Sequence, residues 1–200
     1  MKYNTKTTRW TSDLHLFHKN ILKFNRDTRD GVDMDEMIRI FVKNWNAEVF
    51  PQDDVFILGD VTFGSTEDTI AVLKRLNGRL RLVLGNHDHK IYKSDDLKDC
   101  FELVTNYHEI EVTDGANEYR VVMMHYPIES WNRAHYGAIH LHGHTHGHYG
   151  DVNMKNRFDV GVDNRKDVKM TPFTWDDIMN RLAAYVDNSS DTERRTNVII

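Results

Sequence analysis

The sequence has few of the features that build cross-linked or membrane-bound proteins. Its one cysteine, Cys100, permits neither an intrachain disulfide nor a metal cluster held by cysteines. Apolar runs such as residues 55–58 and 121–124 are about four residues long, and the first ten residues contain no apolar segment. We therefore expect no signal peptide, no membrane span and a reducing, cytoplasmic location.

The chain also has few prolines and no net positive charge. The three prolines and the lack of repeats or low-complexity stretches leave no linker that would divide the chain. Because domains average about 150 residues, the sequence predicts one domain at residues 1–186 and a polar C-terminal tail at 187–200. The 26 Lys and Arg against 31 Asp and Glu give a net charge of −5, which argues against a basic nucleic-acid coat and a polybasic membrane patch.

Histidine is the residue that the chain has in quantity. There are 12 histidines, and five of them lie within residues 140–148. The 40% hydrophobic and 28% charged residues are ordinary for a globular protein. The histidines therefore suggest metal binding, and a solvated histidine-rich loop is the alternative for His140 and His148.

Hydrophobic patterning predicts alternating strands and helices. Short β-branched and aliphatic runs predict strands at residues 8–12, 55–58, 80–84, 107–112, 119–124, 138–141 and 158–162. Apolar residues three to four apart predict helices behind Asp33, from Ser65 or Thr66 to Asn77-Gly78, and from Thr171 through Val186. The order of these elements predicts the α/β (α+β) class, with a layered β-sandwich core flanked by helices.

Metal-binding residue types stand where the predicted strands end. Ligand sites in α/β sheets collect beyond the carboxyl ends of strands. A mixture of carboxylate, amide and imidazole donors favours transition metals over Ca²⁺, and seven donors suit two ions that share a bridging carboxylate. The seven donors are Asp13, His15, Asp60, Asn86, His125, His144 and His146.

Each motif is weak alone, because an Asp-x-His pair is common by chance and a Gly-Asp pair is usually a turn. Their joint occurrence, in order and each after a strand, resembles the calcineurin-like metallophosphoesterase superfamily, and the chain length is similar to its small stand-alone bacterial and phage members. The blocks that carry the resemblance are Asp13-Leu14-His15, Gly59-Asp60, Gly85-Asn86-His87-Asp88, His125 and Gly143-His144-Thr145-His146. One departure is Phe17, where many relatives carry glycine before a histidine like His18.

The resemblance implies a metallophosphoesterase-like fold and two metal sites that share one carboxylate. It assigns Asp13, His15 and His146 to the first metal, Asn86, His125 and His144 to the second, and Asp60 to the bridge. The implied cofactors are two divalent transition-metal ions, with Mn²⁺ first and Fe, Ni, Zn or Co as alternatives. His87 would face the substrate, and Asp88 would orient the His87 imidazole through a hydrogen bond.

Two ions that share a carboxylate lower the pKa of a bridging water from 15.7 toward about 7, so hydroxide becomes available to attack phosphorus. His87 would then assist the leaving group. We expect a phosphodiesterase that acts on small or nucleotide-type substrates. The alternatives are a phosphomonoesterase, a nuclease, which the charge opposes, and a non-catalytic scaffold on the same fold. Arg26, by its bidentate geometry, and Arg133, on a loop after His125, are candidate substrate contacts.

Overall fold

The computed structural model describes residues 2–148, 155–165 and 170–184, which contain two β-sheets flanked by helices. Strands β2 (Thr8–Thr11), β3 (Asp54–Ile57), β4 (Arg79–Val83) and β5 (Leu103–Thr105) form a parallel sheet in that order. Strands β1 (Lys2–Asn4), β6 (His108–Asp114), β7 (Asn117–Met123), β8 (Ile139–His142) and β9 (Arg157–Asp159) form the other sheet, in which only the β6–β7 hairpin pairs antiparallel. The mixed α/β class is confirmed.

The described helices are α1 (Ile21–Phe24), α2 (Met34–Glu48), α3 (Thr66–Leu73), α4 (His89–Lys93), α5 (Asp95–Lys98) and α6 (residues 175–184). Side chains cap the longer helices as the sequence predicts. The Asp33 carboxylate accepts a hydrogen bond from the backbone N–H of Glu36, and the Ser65 hydroxyl accepts one from Asp68. No described helix combines the length and the apolarity that crossing a bilayer requires.

The layers follow from the alternation of side chains along β3. Val55 and Ile57 pack into a core with α2 and α3, whereas Phe56 and Leu58 pack into a second core between the two sheets. Successive strand residues point to opposite faces of a sheet, so a fully apolar strand has apolar layers on both sides. The four-stranded sheet is therefore the middle layer, between helices and the five-stranded sheet.

Most predicted elements are confirmed to within a few residues. The helix predicted from Thr171 instead begins at residue 175, because the Thr174 hydroxyl accepts a hydrogen bond from the backbone N–H of Asp177 and caps it there. The predicted tail at 187–200 and the end of that helix at Val186 lie outside the described residues. The short strands β1 and β5 are additions that the sequence did not predict.

Candidate metal centre

The predicted donors converge where the strands of both sheets end. Asp13, His15 and His146 form one group of possible metal ligands, and Asp13, Asp60 and His125 form a second. Within each group the ligand atoms lie within 4.8 Å of one another. Backbone hydrogen bonds from Asp13 to Gly59 and from His15 to Asp60 continue the β2–β3 ladder and fix the first two ligands relative to the third.

The His15 imidazole carries a buried nitrogen without a partner. Its Nε2 atom has no hydrogen bond and lies 3.5 Å from Asp60 Oδ2 and 3.8 Å from Asp13 Oδ1. Two ligand atoms bound to one ion at about 2.0–2.2 Å stand about 3–3.5 Å apart. The buried nitrogen and its carboxylate neighbours therefore fit a shared cation.

His125 places its ring nitrogen Nε2 at the same site. Its Nδ1 lies 2.7 Å from the carbonyl oxygen of Leu58, which can only accept, so Nδ1 carries the proton and Nε2 keeps its lone pair. That Nε2 lies 2.9 Å from Asn86 Oδ1 and 3.6 Å from Asp60 Oδ2. With Asn86 in this orientation, three electron pairs face one another with no proton between them, which is the donor set that a cation needs.

His144 lies at the open side of these ligands. Its backbone N–H donates to the Asp13 carboxylate at 3.0–3.1 Å, and its ring centroid is 5.1 Å from that of His125. Burial and the neighbouring His125 lower the pKa of His144. Of the sequence-predicted second metal group, Asn86 and His125 are thus in contact. His144 lies beside His125 but belongs to neither group of possible ligands among the described residues, so its metal-binding role stays a prediction.

Asp163 and Arg29 support the site in a way that the sequence analysis missed. Asp163 Oδ2 lies 2.8 Å from His146 Nδ1, which leaves His146 Nε2 free to face Asp13. Arg29 is buried, donates to both oxygens of Asp163, and also donates to the backbone oxygens of Asp13 and Leu14. The Asp163 carboxylate therefore orients the candidate ligand His146. Arg29 connects that carboxylate to the backbone of the candidate ligand Asp13.

These contacts also set two pKa values. Burial alone would raise the pKa of Asp163, but hydrogen bonds from His146, Arg29 and Thr28 and the Arg29 charge hold it far below its ordinary value. Burial lowers the pKa of His146, yet the Asp163 hydrogen bond and the nearby Asp13 raise it overall. The pair is a carboxylate–histidine unit of the kind that supports metal ligands.

Asp88 has other partners than the sequence predicted. Its buried carboxylate accepts hydrogen bonds from the backbone N–H groups of Asp60 (2.9 Å), Val61 (2.9 Å) and Gly85 (2.8 Å). Burial raises its pKa, although these amides oppose the rise. The expected hydrogen bond that orients His87 is thus replaced by three that shape the Asp60 loop, because Asp88 points under that loop.

His87 lies over the ligands and faces outward. Its backbone N–H donates to Asp60 Oδ1 at 2.9 Å, and its side chain is 47% exposed, with Nε2 4.0 Å from Asp60 Oδ2. The imidazole is therefore within reach of both the ligand cluster and a molecule that enters from solvent. This is the position that the sequence analysis expects of a group facing the substrate.

The backbone at the site is strained. Nine non-glycine residues of the described chain have positive φ, and six of them are at this site: Asp13, His15, Phe17, Asp60, His144 and His146. Such conformations cost free energy and persist where the surrounding structure imposes them, often at functional sites. Phe17, with φ of 63°, occupies a left-handed position that glycine adopts without strain, which accounts for the glycine of the family pattern but not for the phenylalanine of this chain.

Comparison with known proteins finds similar sequences in phages and in an archaeon, although no family model matches the chain. It is 33% identical over 164 residues to the gene 66 protein of Mycobacterium phage L5, covering 70% of this chain and 77% of that one. The chain belongs to the gene 66 protein family. The gene 66 protein of Mycobacterium phage D29 is 30% identical over 177 residues, covering 77% and 86%, and the uncharacterized protein MJ1445 of Methanocaldococcus jannaschii is 30% identical over 142 residues, covering 70% and 69%.

Among solved structures, this gene 66 family member resembles the protein of unknown function AQ665 from Aquifex aeolicus. The TM-score is 0.63 at 23% identity, covering 87% of this chain and 98% of the other, which shows a shared fold. The nuclease MPE of Pseudomonas putida matches with a TM-score of 0.39 at 16% identity, covering 70% and 61%. At that TM-score the likeness carries no argument for this chain.

Two arginines of this gene 66 family member were predicted as substrate contacts, and they differ in position. Arg133 stands before β8, whereas the ligands follow its end, and it lines a groove with Glu111, Glu118 and Tyr119. None of the candidate metal ligands lines this groove, and the substrate contact of Arg133 stays a prediction. Arg26 is exposed. The arginine that contacts the backbone of Asp13 and Leu14 is the buried Arg29.

His140 is a structural residue of the core. The expected alternative of a solvated loop is wrong for it, since it is fully buried in β8, with Nδ1 3.1 Å from the Val122 oxygen and Nε2 3.2 Å from the Tyr126 oxygen. Burial lowers its pKa to about 4, with a smaller contribution from His142. His148, in contrast, is exposed.

Proposed function

We propose that the chain is a dinuclear-metal-dependent phosphoesterase. The observation that carries the proposal is the position of Asp60 Oδ2, which lies 3.5 Å from His15 Nε2 and 3.6 Å from His125 Nε2. One carboxylate oxygen thus faces a nitrogen from each of two overlapping ligand groups. A carboxylate shared between two ions about 3.5–4 Å apart has this arrangement of neighbours. The order of the sequence motifs, which resembles calcineurin-like metallophosphoesterases, supports the same activity.

The donor set matches divalent transition metals. Asp13, His15 and His146 would hold one ion, Asn86, His125 and His144 the other, with Asp60 between them, and Mn²⁺ is the first candidate for both. Two such ions supply positive charge to phosphoryl oxygens and make water acidic enough to serve as a nucleophile. Asp13 and Asp60 offset only half of that positive charge. The site therefore favours an anionic guest such as a phosphate ester.

The chain itself supplies the remaining functions. Arg29 and Asp163 hold the His146 ring, and Asp88 holds the Asp60 loop through backbone amides. The exposed His87 imidazole is placed to donate a proton to the leaving oxygen of a substrate above the ligands. Because the strained ligand backbone is fixed before substrate arrives, little reorganisation accompanies the reaction.

The substrate proposed is a small or nucleotide-type phosphodiester. The ligand group is open on the side of His87 and His144, which are both exposed, so a diester with two organic groups has room. The net charge of −5 provides no general attraction for a long nucleic acid. A phosphomonoester is the alternative that the same chemistry serves.

Metal analysis combined with an activity panel tests the proposal. The purified protein is loaded with Mn²⁺, Ni²⁺ or Zn²⁺ and assayed on monoesters, linear diesters, cyclic nucleotides and nucleic acids. We expect two ions per chain and a higher kcat/KM for a model diester than for the matched monoester. Lack of hydrolysis with every metal would overturn the phosphoesterase, and preference for the monoester would overturn the diester specificity.

A further inference from the structure

An open cavity of about 310 Å³ lies directly beside the first ligand group. Two of its lining residues, His15 and His146, belong to that group. One wall comes from α1 and the residues before and after it, and the other from residues 145–148. Its volume lies at the lower end of the range for small-molecule sites. A phosphate ester bound at the ligand group would extend its organic part into this cavity.

The wall at α1 is aromatic and exposed. Phe24 is 71% exposed and Phe63, nearby, is 41% exposed. The His18 ring lies between them, with its centroid 4.6 Å from that of Phe63 and 6.2 Å from that of Phe24. Exposed large apolar side chains that gather beside a polar site are typical of ligand-binding surfaces. Of the two phenylalanines, Phe24 lines the cavity and supplies an aromatic ring to a flat ligand there.

The opposite wall offers hydrogen-bonding groups. His148 is exposed, and its Nδ1 lies 2.9 Å from the backbone oxygen of His146. Because that oxygen only accepts, Nδ1 of the neutral ring carries the proton and Nε2 has a lone pair for a ligand donor. Asn25, which also lines the cavity, adds an amide that can both donate and accept.

We propose that this cavity is a nucleobase-binding subsite, which rests on the proposed function for the position of the phosphate. A nucleobase has a flat face that stacks on Phe24 and polar edges that match His148 and Asn25. An aliphatic group would use neither of these polar side chains. Among the described residues that line the cavity there is no Lys or Arg, so they offer no cationic partner to a second phosphate. The inferred substrate class is therefore a nucleotide whose base enters between α1 and residues 145–148.

The first experiment measures affinity without catalysis. Adenosine, which has no phosphate, is titrated into the metal-free protein and its binding is followed by NMR of the His18 and Phe24 rings. We expect shifts of these ring signals and an affinity that falls on the order of tenfold in Phe24→Ala, because a base stacked on an aromatic ring loses that contact. Phe24→Tyr keeps the ring and should keep the affinity.

Phe50→Ala is the matched control. Phe50 is 55% exposed and precedes β3, whereas the ligands follow the end of that strand, so the same substitution removes an exposed ring far from the cavity. Its adenosine affinity should equal that of the wild type. No binding of adenosine by the wild type, or equal losses in Phe24→Ala and Phe50→Ala, would overturn the subsite.

The second experiment uses the Mn²⁺-loaded protein and compares the inhibition constants of adenosine 5′-monophosphate and methyl phosphate. We expect the nucleotide to bind at least tenfold more tightly, with the ratio reduced in Phe24→Ala. Equal constants in an active enzyme would refute the subsite and leave the phosphoesterase intact. An inactive protein that still binds adenosine through Phe24 would instead refute the phosphoesterase and retain the subsite.

Discussion

The two ends of β3 each carry a buried aspartate, and the two aspartates have opposite surroundings. At the start of the strand, Asp54 is paired with two arginines: Arg79 donates to both of its oxygens at 2.8 and 2.9 Å, and Arg81 donates to one. Arg81 in turn binds Glu102. Beyond the end of the strand, Asp60 Oδ2 lies near the Nε2 atoms of His15, His87 and His125, at 3.5–4.0 Å.

The two aspartates differ in the groups that balance their negative charge. The charge of Asp54 is compensated by the chain, and although burial raises the pKa of Asp54, the Arg79 hydrogen bond and the Arg81 charge lower it overall. Asp60 Oδ1 accepts a hydrogen bond from the backbone N–H of His87, whereas Asp60 Oδ2 has histidine nitrogens and no arginine around it among the described residues. This oxygen is therefore placed to share a cation with those nitrogens. Sites in parallel sheets lie beyond the carboxyl ends of strands, and here the amino end carries the ion-pair network.

The largest expected effect comes from removing the shared carboxylate. Asp60→Asn should abolish binding of both ions and reduce hydrolysis to background, because one oxygen serves both ligand groups. Mass-spectrometric metal content and kcat measure the change. The Asn86 and His125 group alone would then hold no ion. A variant that still binds two ions and turns over would show that Asp60 is not the bridge.

Asp54→Asn is the matched substitution at the other end of the same strand. It should keep two ions and the wild-type kcat, since Asp54 contacts arginines and no candidate ligand. Loss of metal in both variants would mean that the two ends of β3 are not separate in function.

The next effect concerns the exposed imidazole. His87→Ala should lower kcat by about 10²–10⁴-fold with metal content unchanged, because the variant loses the proton donor but no ligand. His89→Ala, two residues further and also exposed, is the control. Parallel loss of metal and activity in His87→Ala would identify His87 as a ligand.

A smaller effect is expected at Asp163, the hydrogen-bond partner of the candidate ligand His146. Asp163→Asn weakens the hydrogen bond that orients His146 and should reduce metal affinity about 10–100-fold, measured by competition with a chelator. Saturating metal should restore most of the wild-type kcat, because every ligand remains. A loss of kcat that excess metal does not restore would mean that Asp163 acts on the substrate instead.

The sequence was sufficient to predict most strands and five residues that gather into possible ligand groups, Asp13, His15, Asp60, His125 and His146, for a physical reason. Asp13, Asp60 and His125 each stand within a few residues of the end of a strand, and parallel strands bring such positions together, so these three side chains meet. The helix after Asp33 could be predicted because the capping residue and the spacing of the apolar residues indicate the same start.

What the sequence did not predict depends on contacts between distant parts of the chain. Arg29 and Asp163 are 134 residues apart, and no local pattern links them. The place of Asp88 next to His87 suggested a pair, whereas packing turns its carboxylate under the Asp60 loop. Strands β1 and β5 have three residues each, which is too short to show the alternation of apolar and polar residues that predicts a strand.

At the amino end of β3, the expected effect is on folding alone. Asp54→Asn should lower the free energy of unfolding at pH 7 by about 1–3 kcal/mol, because it leaves the buried Arg81 with Glu102 as its one carboxylate partner. Urea denaturation of the metal-free protein measures this. Asp95→Asn is the control, because Asp95 is 91% exposed and solvent screens its ion pair with Lys98. Equal stability of wild type and Asp54→Asn would show that the network contributes nothing.

The smallest effect is the change of that stability difference with pH. The pKa of Asp54 is lower in the folded protein than its ordinary value of about 3.9. A carboxylate of this kind adds stability above its unfolded pKa and loses it as the pH falls through the folded value. The stability gap between wild type and Asp54→Asn should therefore be constant from pH 7 to about 5 and shrink below about pH 4. The site at the other end of β3 is the same in both proteins, so its contribution cancels in the difference. A gap that instead closes near pH 6 would mean that the site, and not the Arg79 and Arg81 pairs, stabilises this strand.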